Sequence, residues 1–240
     1  CIRDRYEARD LLKTFVKKFK GSDLDKKGVK VSMFESGSME GDDSSCAAYM
    51  DCILGRGPKY VFKNAKLRKY FKEVSMHSYW SGADTKKNAE NYFSDKYSKY
   101  SVAATEYCQM TDDKNTGVYD LIAKEKNGTN GTSIKYGVAM ANTIVDDLTI
   151  MNANEWDWWT ACSYGTYTDG LIYLDEDNHE NLDFSKRYYC LGNFSKFINE
   201  GAVRVACSSG VKNVRSVAFV NEDNTVVTCL LYTSPSPRDA

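Results

Sequence analysis

Ser101-Val102-Ala103-Ala104-Thr105-Glu106 decides the architecture: a strand of small and β-branched residues that ends in an acid and gives way to Tyr107-Cys108-Gln109. Elements of alternating type flank it on both sides. Upstream, residues 86–97 read as a helix with Ala89, Tyr92 and Phe93 on one side, preceded by a strand near Val74-Ser75-Met76-His77 that runs into Ser78-Tyr79-Trp80. Downstream, past a loop rich in Asp, Asn and Gly, residues 134–150 form a helix carrying Val138, Ala141, Ile144, Val145 and Leu148, and residues 152–159 form a strand.

The same alternation reaches the start of the chain. Leu12, Phe15, Val16 and Phe19 recur at three- and four-residue steps within residues 3–20, the pattern of a surface helix packed on one face, which Gly21-Ser22 closes. Residues 29–34 alternate as a short strand that ends in the polar turn Glu35-Ser36-Gly37-Ser38, and residues 44–54 read as another helix. Strand and helix repeated in this way define a parallel sheet covered by helices.

An open doubly wound sheet and a closed eightfold barrel both fit that pattern. The first calls for phosphate-binding glycines after an early strand, and no GxGxxG or P-loop is present. The second collects polar and aromatic residues at the carboxyl ends of successive strands, as Glu35, His77, Glu106 and the Trp156-Asp157-Trp158-Trp159 cluster do. The expected fold is therefore α/β, with the closed (β/α)8 TIM barrel favoured. Residues 185–197 read as a further helix, and residues 202–206, 214–220 and 225–228 as antiparallel strands, the last two joined by the hairpin turn Asn221-Glu222-Asp223-Asn224.

Composition narrows the function classes. A net charge of -1, with Lys and Arg scattered among Asp and Glu, gives no nucleic-acid footprint. No apolar run spans a bilayer, and no partner-protein motif is evident. Two His without paired spacing, and eight Cys without a zinc-knuckle or CxxC pattern, point to no metal and no cofactor; the cysteines read as buried thiols or one or two disulfides. The 13% of aromatic residues suits a sugar-binding cleft, although most aromatics are core residues in any fold. Asn127-Gly128-Thr129 and Asn130-Gly131-Thr132 match glycosylation sequons, but a Gly/Asn turn accounts for them equally.

Both ends carry expectations of their own. The chain starts at Cys1 without Met or a signal peptide and moves at once into a helix, as a truncated chain would. The run Cys229-Leu230-Leu231-Tyr232-Thr233-Ser234-Pro235-Ser236-Pro237-Arg238-Asp239 reads like translated transposase-adaptor DNA, so residues 229–240 are expected to be a sequencing scar.

Glu106 fits the attacking carboxylate of a retaining glycosidase, which works beside a second carboxyl group about 5 Å away. A solvated strand-end glutamate is the alternative. Thr105-Glu106-Tyr107, His77-Ser78-Tyr79-Trp80, and Trp156-Asp157-Trp158-Trp159 with Asp169-Gly170-Leu171-Ile172-Tyr173 together resemble glycoside hydrolase family 30. The most specific block is Tyr188-Tyr189-Cys190-Leu191-Gly192-Asn193-Phe194-Ser195-Lys196-Phe197-Ile198 with Gly201-Ala202-Val203-Arg204.

That resemblance covers nearly all of residues 1–228. It implies the C-terminal half of a (β/α)8 TIM barrel in residues 1–199, the start of a β-sandwich side domain in residues 200–228, and a secreted, extracellular hydrolase of polysaccharide. Glu106 matches the family's nucleophile on the seventh strand. The acid/base, in an Asn-Glu-Pro motif on the fourth strand, would lie before Cys1, so the chain alone is expected to have negligible activity. His77, Tyr79 and Trp80 read as the sugar-contacting rim, with a core histidine satisfied by backbone as the alternative for His77. Trp158 or Trp159 would form an aromatic floor. Glu35 reads as a substrate contact or a hydrogen-bonded structural group, and otherwise as a substitute acid. The Trp158-Trp159-Thr160-Ala161 run looks most like the endo-β-1,6-galactanase-like branch, with glucuronoxylanase, glucosylceramidase-like and non-catalytic carbohydrate-binding relatives as alternatives.

Overall fold

The computed structural model describes residues 5–38, 51, 70–110, 114, 133–165, 167–175, 177–178 and 180–232. The expected helix at residues 44–54, apart from Asp51, and both sequons lie outside them. The chain forms two compact units, Cys1–Tyr107 with Ile150–Trp158 and Cys108–Thr149 with Trp159–Ala240.

The first unit is a four-stranded parallel sheet in the order β1-β2-β3-β4, formed by Val31–Ser36, Phe71–His77, Ser101–Glu106 and Ala153–Trp156. Each strand pairs with the next in sequence, all parallel, with no reversal of order. That is the order of consecutive barrel strands; a doubly wound sheet reverses at its switch point. Val102, Ala103 and Ala104 are buried in succession, as a strand covered on both faces requires.

Helix α1 (Arg5–Phe19) contributes Leu12, Val16 and Phe19 to the core, and α3 (Ala83–Tyr97) contributes Ala89, Phe93 and Tyr97. These meet Tyr70, Phe71, Val74 and Met76 of the β2 region and Val102 and Ala104 of β3. Phe15 departs from the expected face. It is exposed and stacks on Phe19 with ring centroids 5.4 Å apart, so the buried stripe is one residue narrower than the periodicity suggested. The short helix α2 (Asp23–Lys26) starts at Ser22, whose hydroxyl accepts from the Asp25 amide.

The second unit contains α4 (Ile134–Thr149), a small sheet of β5 (Cys162–Ser163), β6 (Ile172–Leu174) and β7 (Leu182–Phe184), and α5 (Lys186–Ser195). It ends in an antiparallel sheet of β8 (Val203–Val205), β9 (Val214–Val220) and β10 (Val226–Tyr232), in the order β10-β9-β8. Helices α4 and α5 approach closely at Gly137, where an added Cβ would lie 2.6 Å from Cys190 Sγ and 3.1 Å from the Lys186 carbonyl oxygen. The expected hairpin is present: the Asn221 amide donates to the Thr225 carbonyl at 2.9 Å, and Asn224 takes the left-handed φ of 65° that such turns favour. The ladder continues past Thr228, with Cys229 opposite Val217 and Tyr232 opposite Val214.

Arg187 anchors this unit and has no counterpart in the sequence reading. Fully buried on α5, its guanidinium donates to the Gly170 carbonyl at 3.0 and 3.2 Å, to Gln109 Oε1 at 3.0 Å and to the Tyr173 hydroxyl at 2.6 Å. Burial lowers its affinity for the proton. Gln109 in turn donates to the Tyr136 carbonyl at 2.7 Å, tying the cluster to α4. Among the described residues, Cys108, Cys162, Cys190, Cys207 and Cys229 are free thiols. No described helix is long and apolar enough to cross a membrane.

Candidate active site

The carboxyl ends of β1, β2 and β3 carry Glu35, His77 and Glu106. His77 and Glu106 are opposite one another in the β2–β3 ladder, just past a bulge between Met76 and His77. A second bulge, between Phe34 and Ser36, leaves Glu35 without a ladder partner, and its φ of 60° is left-handed. The sequence reading placed Glu35 in a turn after the strand; it is a bulged residue inside it, because β1 runs on to Ser36.

One oxygen of Glu35 gathers two donors. Oε2 lies 2.8 Å from His77 Nε2 and accepts from Thr105 Oγ1 at 2.6 Å. The carboxyl is held down at about 2, chiefly by the hydrogen bond from His77; burial opposes this, while the Thr105 and Ser75 hydroxyls and the charge of His77 add to it. A group held in its ionised form is a poor proton donor to a leaving group.

Glu106 is organised on one oxygen as well. Tyr79 donates its hydroxyl to Oε1 at 2.9 Å, and His77 Nδ1 faces the same oxygen at 3.8 Å. Both ring nitrogens of His77 are therefore turned to carboxylates. The Glu106 side chain is 31% exposed against 12% for His77, so Glu106 keeps a face to solvent. The Tyr79 and His77 contacts both fall on one oxygen of the carboxylate.

Aromatic rings continue from this point. Tyr79 meets His77 edge-on at 5.7 Å, Trp80 at 5.6 Å and Tyr107 at 5.7 Å. Tyr107, fully buried, packs on Trp156 at 6.2 Å and Trp158 at 5.9 Å. Trp80 turns on a left-handed φ of 53°. Strand β4 stops at Trp156, shorter than the expected 152–159, yet the Trp156 and Trp158 rings still lie together at 6.3 Å. Trp159, in the other unit, is 54% exposed.

The sequence reading named Glu35, His77, Tyr79 and Glu106, and the structure brings these four together as two hydrogen-bonded pairs, Glu35 with His77 and Tyr79 with Glu106, which meet where His77 Nδ1 faces Glu106 at 3.8 Å. It missed Thr105 as the second donor to Glu35 and Tyr107 as the hub of the rings. Both sat inside the quoted Thr105-Glu106-Tyr107 motif, where only the acid had been given a task. No group of three or more His, Cys, Asp or Glu side chains suited to a metal gathers among the described residues.

A run of parallel strands with an acid, a histidine and aromatic rings at their carboxyl ends is the half-barrel on which hydrolases build their sites. The particular family follows from the sequence profile. Residues 26–173 match O-glycosyl hydrolase family 30, and the chain belongs to that family. Residues 201–240 match the family 30 beta sandwich domain, which makes the β8–β10 sheet part of that second domain.

Solved structures share the fold. The catalytic domain of a family 30 xylanase C from Talaromyces cellulolyticus superposes with a TM-score of 0.63 at 16% identity, over 96% of this chain and 44% of its own. A conserved exported protein from Bacteroides fragilis gives 0.67 at 19% identity, over 94% and 48%. A family 30 endoxylanase from Clostridium papyrosolvens gives 0.51 at 17% identity, over 92% and 54%. The chain thus spans about half the length of these relatives.

Proposed function

We propose that the chain carries the nucleophile of a retaining glycoside hydrolase that cleaves polysaccharide, with Glu106 in that role. The observation that carries the reading is the asymmetry of Glu106: Oε1 is occupied by the Tyr79 hydroxyl, while Oε2 takes part in neither contact. In the first step Oε2 attacks the anomeric carbon, and the bond to the leaving oxygen breaks as that oxygen takes a proton from a partner carboxyl. Water, deprotonated by that partner, then attacks the anomeric carbon and releases Glu106 from the glycosyl ester.

The partner belongs on a strand before Cys1, and the ionised state of Glu35 supports looking for it there. Tyr79 and Trp80 flank the sugar. The exposed ring of Trp159 suits stacking on a sugar, and Trp158 packs against Tyr107, next to Glu106 in the chain. The half-exposed Glu35 carboxylate, whose Oε2 accepts from His77 and Thr105, takes a sugar hydroxyl at its solvent face.

The polymer is a β-1,6-galactan, supported by the Trp158-Trp159-Thr160-Ala161 run that leads to Asp169-Gly170-Leu171-Ile172-Tyr173. Extracellular action fits a polymeric substrate and the exported relative from Bacteroides fragilis.

The test is Glu106→Ala in a polypeptide that also carries the upstream strands. Activity on β-1,6-galactan should fall by roughly 10⁴-fold, the scale seen when an acting nucleophile is removed. Added azide should restore cleavage of an activated β-glycoside and give the glycosyl azide of inverted configuration. A retained azide would instead make Glu106 the acid/base. Full activity of the variant would move the nucleophile elsewhere, and binding without hydrolysis by the unmodified polypeptide would make the chain a non-catalytic carbohydrate binder.

A further inference from the structure

Glu35 occupies a backbone position that residues with side chains rarely adopt, and a local bend of that kind is kept where something nearby needs it. The bulge aims one carboxylate oxygen at two neighbouring strands: Oε2 meets His77 at the end of β2 and Thr105 near the end of β3. Those two residues flank Glu106. His77 is its partner across the ladder, and Thr105 precedes it in the chain. With Nε2–H donating to Glu35, the ring is set so that Nδ1 faces Glu106 Oε1, the oxygen that also accepts from Tyr79. A carboxylate that fixes one nitrogen of a histidine fixes the tautomer and the orientation of the other.

We propose that Glu35 is a positioning residue for Glu106: it holds His77 as the Nε2–H tautomer and, with Thr105, pins three strand ends so that Glu106 presents Oε2 to the substrate. This deepens the reading of Glu106 as the nucleophile and rests on it. Glu35 touches none of the reacting atoms and works through His77 and the β3 backbone.

His77 and His179 are the two histidines of the chain, so a ¹⁵N-labelled sample gives two imidazole patterns, assigned with His179→Gln. In long-range ¹H–¹⁵N spectra of the neutral rings, His77 should show the Nε2–H form alone. Glu35→Ala should mix the two tautomers, and Glu35→Gln, whose amide oxygen still accepts, should restore the single form. An unchanged His77 pattern in a folded Glu35→Ala chain overturns the proposal. If that variant does not fold, an Nδ1–H tautomer in the unmodified chain overturns it equally.

The functional arm uses the polypeptide with the upstream strands. There Glu35→Ala should lower kcat by roughly 10- to 100-fold, the cost of a misplaced reacting group, with KM changed far less, and Glu35→Gln should recover most of the loss. The two failures separate cleanly. Wild-type activity in Glu106→Ala sinks the nucleophile reading and leaves the tautomer result standing. Loss in Glu106→Ala with an unchanged kcat in Glu35→Ala sinks the positioning role alone.

Discussion

Tyr79 and Glu106 come from successive strand ends and share a 2.9 Å hydrogen bond in which the phenol donates to carboxylate Oε1. Tyr79 is buried, with its ring wedged between His77, Trp80 and Tyr107, so the donor has little freedom to leave. Tyr79→Phe keeps the ring and deletes the bond. With the catalytic pair complete, kcat should fall by about 10- to 100-fold, since a hydrogen bond to a charged group is worth about 1.5–3 kcal/mol. KM should move much less, and steady-state kinetics of the variant would check both.

The Glu35 carboxyl gives acid sensitivity of a definite sign. Its folded value is lowered from 4.5 to about 2, so the ionised form favours folding. That contribution is complete above the unfolded value and is lost as pH falls from about 4.5 toward about 2. The side chain is 54% exposed, which limits the effect to about 1 kcal/mol or less. Urea midpoints measured at about pH 6 and about pH 3 should drop further for the natural chain than for Glu35→Gln.

Trp158 and Trp159 should separate by substitution. Trp158 packs on Tyr107 and Trp156, so Trp158→Ala should cost about 2–4 kcal/mol by leaving a cavity beside them. Trp159→Ala removes a ring already more than half in solvent and should leave the melting temperature within a few degrees. Its effect should fall instead on retention in gels containing soluble galactan, where the Trp159 variant runs faster than the natural chain. Equal retention would show that Trp159 takes no part in binding.

Arg187 should be intolerant of both loss and conservative change. Arg187→Met removes the buried donor from Gln109 Oε1, the main donors from the Gly170 carbonyl and one of the partners of the Tyr173 hydroxyl, for a loss of about 3 kcal/mol. Arg187→Lys keeps the charge but cannot span those acceptors with a single ammonium, so it should recover less than half of that loss. Chemical denaturation of the two variants decides the point, and a Lys variant as stable as the natural chain would show that charge alone matters.

What could be read in the sequence tracked how local the cause was. The β3 strand was legible to its last residue, because a run of small apolar residues closed by an acid has few other readings. The helix at residues 134–150 was as clear, since its apolar spacing is regular. Glu35 was placed one element too late: a bulge is fixed by the partner strand's register, and β2 lies far along the chain. The β4 strand was drawn too long, because aromatic residues favour strands whether or not a ladder continues beside them. Arg187 left no signal, for an arginine on a helix is ordinarily solvated, and only the three-dimensional arrival of Gly170, Gln109 and Tyr173 makes it an internal clamp.

The three-way bond at Glu35 also bears on redesign. Strand ends tied through a single oxygen behave as one module, so altering His77 or Thr105 alone changes the setting of Glu106 as well. Trp159, Tyr164 and Tyr167 make the contrast: their rings stand in solvent and can be exchanged with less disturbance to their surroundings.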